Sequence, residues 1–501
     1  MIATCTAKSR WETLNGLRSA FIDRCERYSQ LTLRKLCAEE GYDQNTDESK
    51  LDWQSLGATS VNHLTNKLML TMFSPSRPNF RLEPTDKMRA EAMAQGLEEE
   101  DLSALLAQAE RSASRVIDKK QIRPKLYELL KNLVVLGNVL LRRDGAVRAM
   151  GIKNYCVRRS ISGKLIELVI REQIQFDELE EDVQEAARAQ KEKCDEVVSF
   201  YIWAKYSKGK YHVTQWVDDI ELPAPFAGDY TEADFPYHAL TWDLSDRANY
   251  GTGLVEEYAG EFEALSTLSE AMVQAAVLSS EYRWLLNPAG ATSKDDLINS
   301  ENGAILAGVK GDLEVLATGK VGDLETMLKM AEMNINRIGR GFLLSSAITR
   351  NAERVTAEEI RMTATELETG LGGVYSRLSI DLQWPLAQWQ LKEIKLKLND
   401  SDVEPVIITG LDALSRNADL ENLKLFLADC EAVNQMTAAA QSVLKMDAIF
   451  RDLATGRGLL ATKYVKTETE RSQSSQAAVA SVAAQEGAIA AAQAAGEQVA
   501  Q

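Results

Sequence analysis

The residue types from which most enzyme and metal sites are built are sparse in this sequence. The three histidines, His63, His212 and His238, lie far apart, leaving little material for an imidazole-based metal site. The six cysteines, Cys5, Cys25, Cys37, Cys156, Cys194 and Cys430, show neither a CxxC pair nor a disulfide-framework spacing. That pattern predicts free thiols in a chain made in a reducing compartment. No phosphate loop is present. Gly163-Lys164 is followed by Leu165 and Gly319-Lys320 by Val321, so neither supplies the hydroxyl that would hold magnesium. H-E-x-x-H and G-x-S-x-G are both missing. Carboxylates are plentiful, but in an acidic helical chain paired carboxylates are usually a solvated face. The sequence predicts no catalytic residues, no metal and no cofactor.

The bulk properties point the same way. The 501 residues carry 57 Lys and Arg against 74 Asp and Glu, a formal charge of −17, with 45% hydrophobic residues. Such a chain can bury a sizeable core. Its acidity does not suit wrapping nucleic acid by phosphate neutralisation. No apolar run approaches the roughly 20 residues of a membrane span. The N-terminus lacks the apolar core of a secretory signal, which predicts no export.

Hydrophobic period then sketches the elements. Residues 8–40 and 86–141 read as mostly helical. In 53–73, Val61, Leu64, Leu68 and Met72 share one helical face. Residues 147–176 and 196–217 are rich in Val, Ile and Tyr, and Ser207-Lys208-Gly209-Lys210 between them reads as a hairpin turn. This is a β-rich insert in a helical chain, so the predicted class is α+β, mainly α. Two further helices are expected at 256–283 and 323–343, flanking a small mixed unit at 284–320. After a loop at 344–354, Thr356 and Glu359 form a capping box. The long helix it opens should be weakened or kinked at Gly372-Gly373 and Pro385. In residues 472–501, Ala, Gln and Ser supply 22 of the 30, so this tail lacks the apolar bulk to fix itself in a core.

The helix at 256–283 has two distinct faces. Tyr258, Phe262, Leu265, Leu268, Met272 and Ala276 make an apolar stripe. Another face carries Glu263, Thr267, Glu270, Gln274 and Glu281, with Val277 completing the row, and the segment holds six glutamates against Arg283 alone. Solvent is the ordinary destination of such a face; the functional alternative is a negatively charged wall. In the second helix Leu324, Leu328, Ala331, Ile335, Ile338 and Phe342 form one apolar stripe.

Seven stretches carry a resemblance. LTNKLMLTMF (64–73), LVVLGNVLL (133–141), YGTGLVEEYAGEF (250–262), NPAG (287–290), ERVTAEEIR (353–361), LGGVYSRLSIDLQWPL (371–386) and TGLDALSR (409–416) occur in this order. In them the chain resembles the head-to-tail connector, or portal, proteins of short-tailed bacteriophages of the autographivirus type. The resemblance covers most of residues 53–416.

It implies a ring, usually of twelve subunits, at one vertex of a phage head in the virion, made in the host cytoplasm. Double-stranded DNA enters through its central channel during packaging and leaves through it at infection. The implied partners are further copies of the chain, the terminase large subunit, the major capsid protein, the scaffold protein, the tail adaptor and internal core proteins, with no membrane. The implied subunit has a wing (1–254, with the β-rich part near 147–217), a first stem helix (255–283), a clip (284–320), a second stem helix (321–343), a tunnel loop (344–354), a long wing helix with its return strand (355–415), a crown (416–471) and a flexible tail (472–501). Glu263, Glu270 and Glu281 would then line the channel and repel phosphates within a screening length of about 8 Å. Ser345, Ser346, Arg350, Asn351 and Arg354 would belong to the tunnel loop, with the two arginines as candidate DNA contacts; locally, Arg354 is also placed to pair with Glu358 one turn on. A motor or nuclease subunit would need a phosphate loop or clustered metal-binding acids, and the first is missing. An acidic helical scaffold would not need the β-rich insert.

Overall fold

The structure is a computed structural model. It describes residues 6–39, 41–42, 52–74, 78–94, 96, 99–190, 195–280, 284–290, 292–301, 304–305, 307–315, 321–344, 357–394, 406–408, 426–431, 449–450 and 453. The chain divides into two compact units, Met1–Gly410 and Leu411–Gln501. In the second, the described residues 426–431, 449–450 and 453 are helical.

The first unit opens with α1 (Ala7–Gly16) and α2 (Ser19–Leu31). The Thr6 side chain caps α1 by accepting from the Ser9 amide at 3.2 Å. α3 (Leu56–Met72) buries Val61, Leu64, Leu68 and Met72, the face its period predicts. After the short strand β1 (Arg81–Glu83) come α4 (Asp86–Ala94), α5 (Glu99–Lys119) and α6 (Arg123–Leu136). α5 turns Leu102, Leu106, Ala109 and Ala113 into a core shared with Leu82 and Met88.

α6 stops earlier than hydrophobicity alone foretells. Gly137 takes the left-handed conformation, φ +70°, and ends it. The next apolar residues become β2 (Asn138–Arg142), which pairs with β3 (Arg148–Met150) and, on its other edge, with the later strand Tyr237–Thr241. A short apolar run does not by itself distinguish helix from strand; the glycine decides it.

The predicted β-rich insert is a six-stranded antiparallel sheet. Its strands are β4 (Tyr155–Arg159), β5 (Leu165–Gln175), β6 (Val197–Ser207), β7 (Lys210–Val217), β8 (Ile220–Glu221) and β9 (Gly228–Tyr230). β4 to β7 pair in sequence order, and β8 and β9 follow one another along the outer edge of β7. The helix α7 (Glu181–Arg188) interrupts the insert between β5 and β6. The β6–β7 turn is the hairpin expected: Ser207 faces Lys210, with Lys208 and Gly209 both at positive φ. Two such residues give the turn whose twist matches the strands.

α1 lies on this sheet. Ala7, Trp11 and Leu14 pack against Cys156, Val169, Tyr201, Trp203 and Trp216. The buried Glu167 fastens the layer. It accepts from Arg10 Nε (2.9 Å) and Nη2 (2.6 Å), Arg158 Nε (3.0 Å) and Trp203 Nε1 (3.0 Å). Burial pushes its carboxyl up, but these hydrogen bonds and the Arg10 charge outweigh that and hold it below the usual range.

After β10 (Tyr237–Thr241) the chain forms α8 (Leu254–Glu257) and α9 (Ala259–Ser280). A small unit follows, with β11 (Trp284–Leu286), α10 (Lys294–Asn299) and β12 (Leu313–Val315), the strands paired antiparallel. α11 (Val321–Gly341) returns. The expected long helix is divided into α12 (Ala357–Gly370), α13 (Val374–Leu378) and α14 (Trp384–Glu393). Gly372 and Gly373, both at positive φ, make the first break. A π-turn at Ser379–Gln383 makes the second and leads into Pro385 in the first turn of α14, where the missing amide costs nothing. Thr356 of the capping box lies outside the described residues. β13 (Val406–Ile408) closes the unit by pairing with β1.

Candidate functional site

With no catalytic constellation to build from, the site is a pair of helices and the elements that hold it. α9 and α11 pack antiparallel: Phe262 near the start of α9 meets Phe342 just past the end of α11, with ring centroids 5.7 Å apart. Tyr258 lies 5.6 Å from the same Phe342 ring. Phe262, Phe342 and Ile338 are wholly buried. Gly341 allows this closeness, because a Cβ there would sit 2.2 Å from Tyr258 Cζ.

The entry to the pair is fixed by Tyr250-Gly-Thr-Gly253. Asn138 Nδ2 donates to the Gly251 carbonyl at 2.6 Å, and the Gly251 amide donates back to Asn138 Oδ1 at 2.8 Å. Gly253 and Gly137 approach so closely that a Cβ on either would meet backbone at 2.7 Å or less. Tyr250 stacks on Phe21 at 4.8 Å, and its hydroxyl accepts from the Val157 amide at 3.1 Å. α8 and α9 therefore leave the body at a position set by α2, α6 and β4.

The apolar stripes are only half used within the subunit. Phe262 and Leu265 of α9 and Ala331, Ile338 and Phe342 of α11 are buried. Further from the base, Val273 is 48% exposed, Val277 57%, Leu328 51%, Met330 48% and Met333 45%. Leu328 and Ile335, expected on the apolar stripe of this helix, are among the exposed residues. The side chain of Leu324 lies outside those described.

The predicted acidic residues fall into different environments. Glu263 is ion-paired with Arg27 of α2, and Glu256 with Arg24 at 3.3 Å. The upper part of the acidic face is thus tied to the body. Glu270, lower down, accepts from Gln274 Nε2 at 3.1 Å and meets no cation among the described residues. Glu281, Ser345, Ser346, Arg350, Asn351 and Arg354 lie outside the described residues. At the flanks of the 345–356 segment, Lys67 of α3 donates to the Leu343 carbonyl at 2.8 Å and to Glu366 of α12 at 3.2 Å. The sequence reading did not single out Lys67; a lysine in an otherwise apolar helical stretch was its only signal. Among the described residues, no group of three or more His, Cys, Asp or Glu could hold a metal ion. Among them no helix is long and apolar enough to cross a membrane.

Comparison with known proteins settles what such a helix pair belongs to. Residues 4–462 match the family described as bacteriophage head to tail connecting protein. The chain belongs to this family. The portal protein of Enterobacteria phage SP6 is 31% identical over 470 residues, covering 92% of this chain and 90% of the relative. The portal protein of Escherichia phage T7 is 32% identical over 485 residues, covering 93% and 89%, and that of Enterobacteria phage T3 33% over 447, covering 86% and 83%. Among solved structures, the neck of an empty gene transfer agent particle aligns with a TM-score of 0.37 at 14% identity, covering 81% of this chain and 90% of that one. As a head-to-tail connecting protein the chain is a structural, head–tail connector component of a phage rather than an enzyme. The YGTG glycines and the aromatic base hold the start of α9 and the end of α11 in place.

Proposed function

We propose that this head-to-tail connecting protein closes into a ring, of twelve copies as is usual for such rings, around a channel that conducts double-stranded DNA into and out of the head. The observation that carries this is the apolar surface left on the lower α9–α11 pair. Val273, Leu328, Met330 and Met333 lie uncovered along one pair of helices, and a patch of this kind marks an interaction surface. Neighbouring copies would cover it, within an interface in the obligate range above about 2,000 Å².

In this reading α9 and α11 are the stem, residues 284–320 the clip, 344–354 the tunnel loop and 416–471 the crown. The rest of the first unit is the wing. Glu270 and Glu281 face the bore and keep it from holding phosphates. Glu263 splits its role, since its charge is already met by Arg27. The ring sits at the head–tail junction of the virion and docks the terminase large subunit, then the tail adaptor. The major capsid, scaffold and internal core proteins meet it on the head side.

The test is charge reversal. Rings carrying Glu270→Lys and Glu281→Lys should assemble, because the apolar surface is untouched. They should retain duplex DNA at low salt and release it steeply as salt rises, since attraction would rest on counterion release. Wild-type and doubly substituted rings that bind DNA alike at every salt concentration would show that these glutamates face away from the bore.

A further inference from the structure

The chain has one conspicuous departure from its acidity. Arg111, Arg115 and Lys119 recur every fourth residue along the second half of α5, and all three are exposed. Among the described residues none of the three has an ion-pair or hydrogen-bond partner. The nearest acids on the helix are already committed. Asp118 accepts from Arg123 Nε at 2.6 Å, and the buried Glu110 accepts from the Leu82 amide at 2.9 Å. The opposite face of α5 is its core face, through Leu102, Leu106, Ala109 and Ala113. The basic row is therefore not needed for packing. The helix dipole accounts for a cation such as Lys119 in the last turn, but not for Arg111 and Arg115 further back.

Beside the row lies a polar cleft of about 230 Å³, lined by Arg111, Arg115, Arg123, Ser74, Asn79 and Ser114. Phe73, Pro78 and Ile117 complete the lining, and Arg123 is already held by Asp118 and the Phe73 carbonyl, so the guanidiniums of Arg111 and Arg115, with the short hydrogen-bonding side chains beside them, are the groups that suit a phosphate oxygen. The spacing fits a polyphosphate chain. Residues four apart on a helix are about 6 Å apart along its axis, nearly two steps of the 3.4 Å per phosphate along one strand of duplex DNA. Long, unpartnered arms take up the difference.

We infer that the Arg111–Arg115–Lys119 face of α5, with its adjoining cleft, is a phosphate-contacting surface for double-stranded DNA, separate from the α9–α11 channel helices. The identity of the partner rests on the ring reading given above; the phosphate chemistry does not.

The experiment uses the full chain, a fluorescent duplex of about 20 base pairs and a salt series. Three neutralised phosphates give a fall in affinity of about 40-fold between 50 and 200 mM salt. The triple variant Arg111→Gln, Arg115→Gln, Lys119→Gln should bind weakly and lose most of that salt dependence. The charge-keeping variant Arg111→Lys, Arg115→Lys should retain both affinity and slope, which separates phosphate contact from a fold defect. Equal binding by wild type and the Gln variant, or no binding by either, overturns the assignment. So does binding of hexaglutamate at the row with affinity equal to DNA, which would make the partner an acidic protein. Native mass spectrometry on the same samples reads the ring independently: failure to form rings counts against the conduit, while the Gln-versus-Lys comparison still decides the phosphate surface.

Discussion

Phe342 is the side chain on which the helix pair turns, and replacing it should be costly in a predictable way. It is fully buried and flanked by the rings of Phe262 and Tyr258 at 5.7 and 5.6 Å. Tyr258 is itself pressed against the Gly341 backbone, so the surroundings have little freedom to collapse into a void. Phe342→Ala should therefore fall in the middle of the range for such deletions, about 4 kcal/mol. Phe342→Leu, which keeps most of the volume, should cost about 1.5 kcal/mol. The assay is hydrogen exchange of the amides in 258–265 and 335–342. At about 1.4 kcal/mol per tenfold, the Ala variant should exchange there about a thousandfold faster. The strands β4–β7, packed in a different core, should exchange as in wild type. Exchange within a few-fold of wild type in the Ala variant would refute the claim that this aromatic base anchors the pair.

Two further substitutions test the body that positions the pair. Glu167→Gln removes the charge that Arg10 and Arg158 share beneath α1 and should destabilise by about 3 kcal/mol at pH 7. Because the folded carboxyl lies below its usual range, the wild-type advantage is full above the unfolded value of about 4.3 and should vanish as pH falls through the folded one; thermal unfolding of both proteins from pH 7 to 3 checks this. Gly137→Ala forces a left-handed residue to carry a Cβ placed 2.3 Å from the Thr252 backbone. It should cost about 3 kcal/mol, measured as a lowered unfolding midpoint; an unchanged midpoint would mean the Gly137–Gly253 approach is not tight.

Much of this architecture was legible in the sequence because local chemistry and tertiary structure agree. Val61, Leu64, Leu68 and Met72 announced α3 by their period. Ser207-Lys208-Gly209-Lys210 announced the hairpin because few other sequences supply two adjacent positive φ angles. The extent of β2 was hidden, since Asn138–Arg142 continues the apolar run of α6 and only the backbone of Gly137 separates them. The stripe on α11 is legible as one apolar face, but not which of its residues the subunit covers: Ala331, Ile338 and Phe342 are buried while Leu328 and Ile335 are exposed, because period reports which residues share a face and not what covers them. The pairing of Glu263 with Arg27 joins residues 236 positions apart, a distance over which charge pattern carries no signal. Lys67 bridging Leu343 and Glu366 is hidden for the same reason.

The central claim, a closed ring sealed by the lower stem, is tested most directly by native mass spectrometry of the purified chain with and without Val273→Asp and Leu328→Asp. Both residues are about half exposed in the subunit, so the substitutions should leave the subunit folded. The account predicts that wild type flies as one closed oligomer, of twelve copies, and that the Asp variant flies as folded monomers. A wild-type protein that stays monomeric at physiological salt, or an Asp variant that assembles as well as wild type, would contradict it.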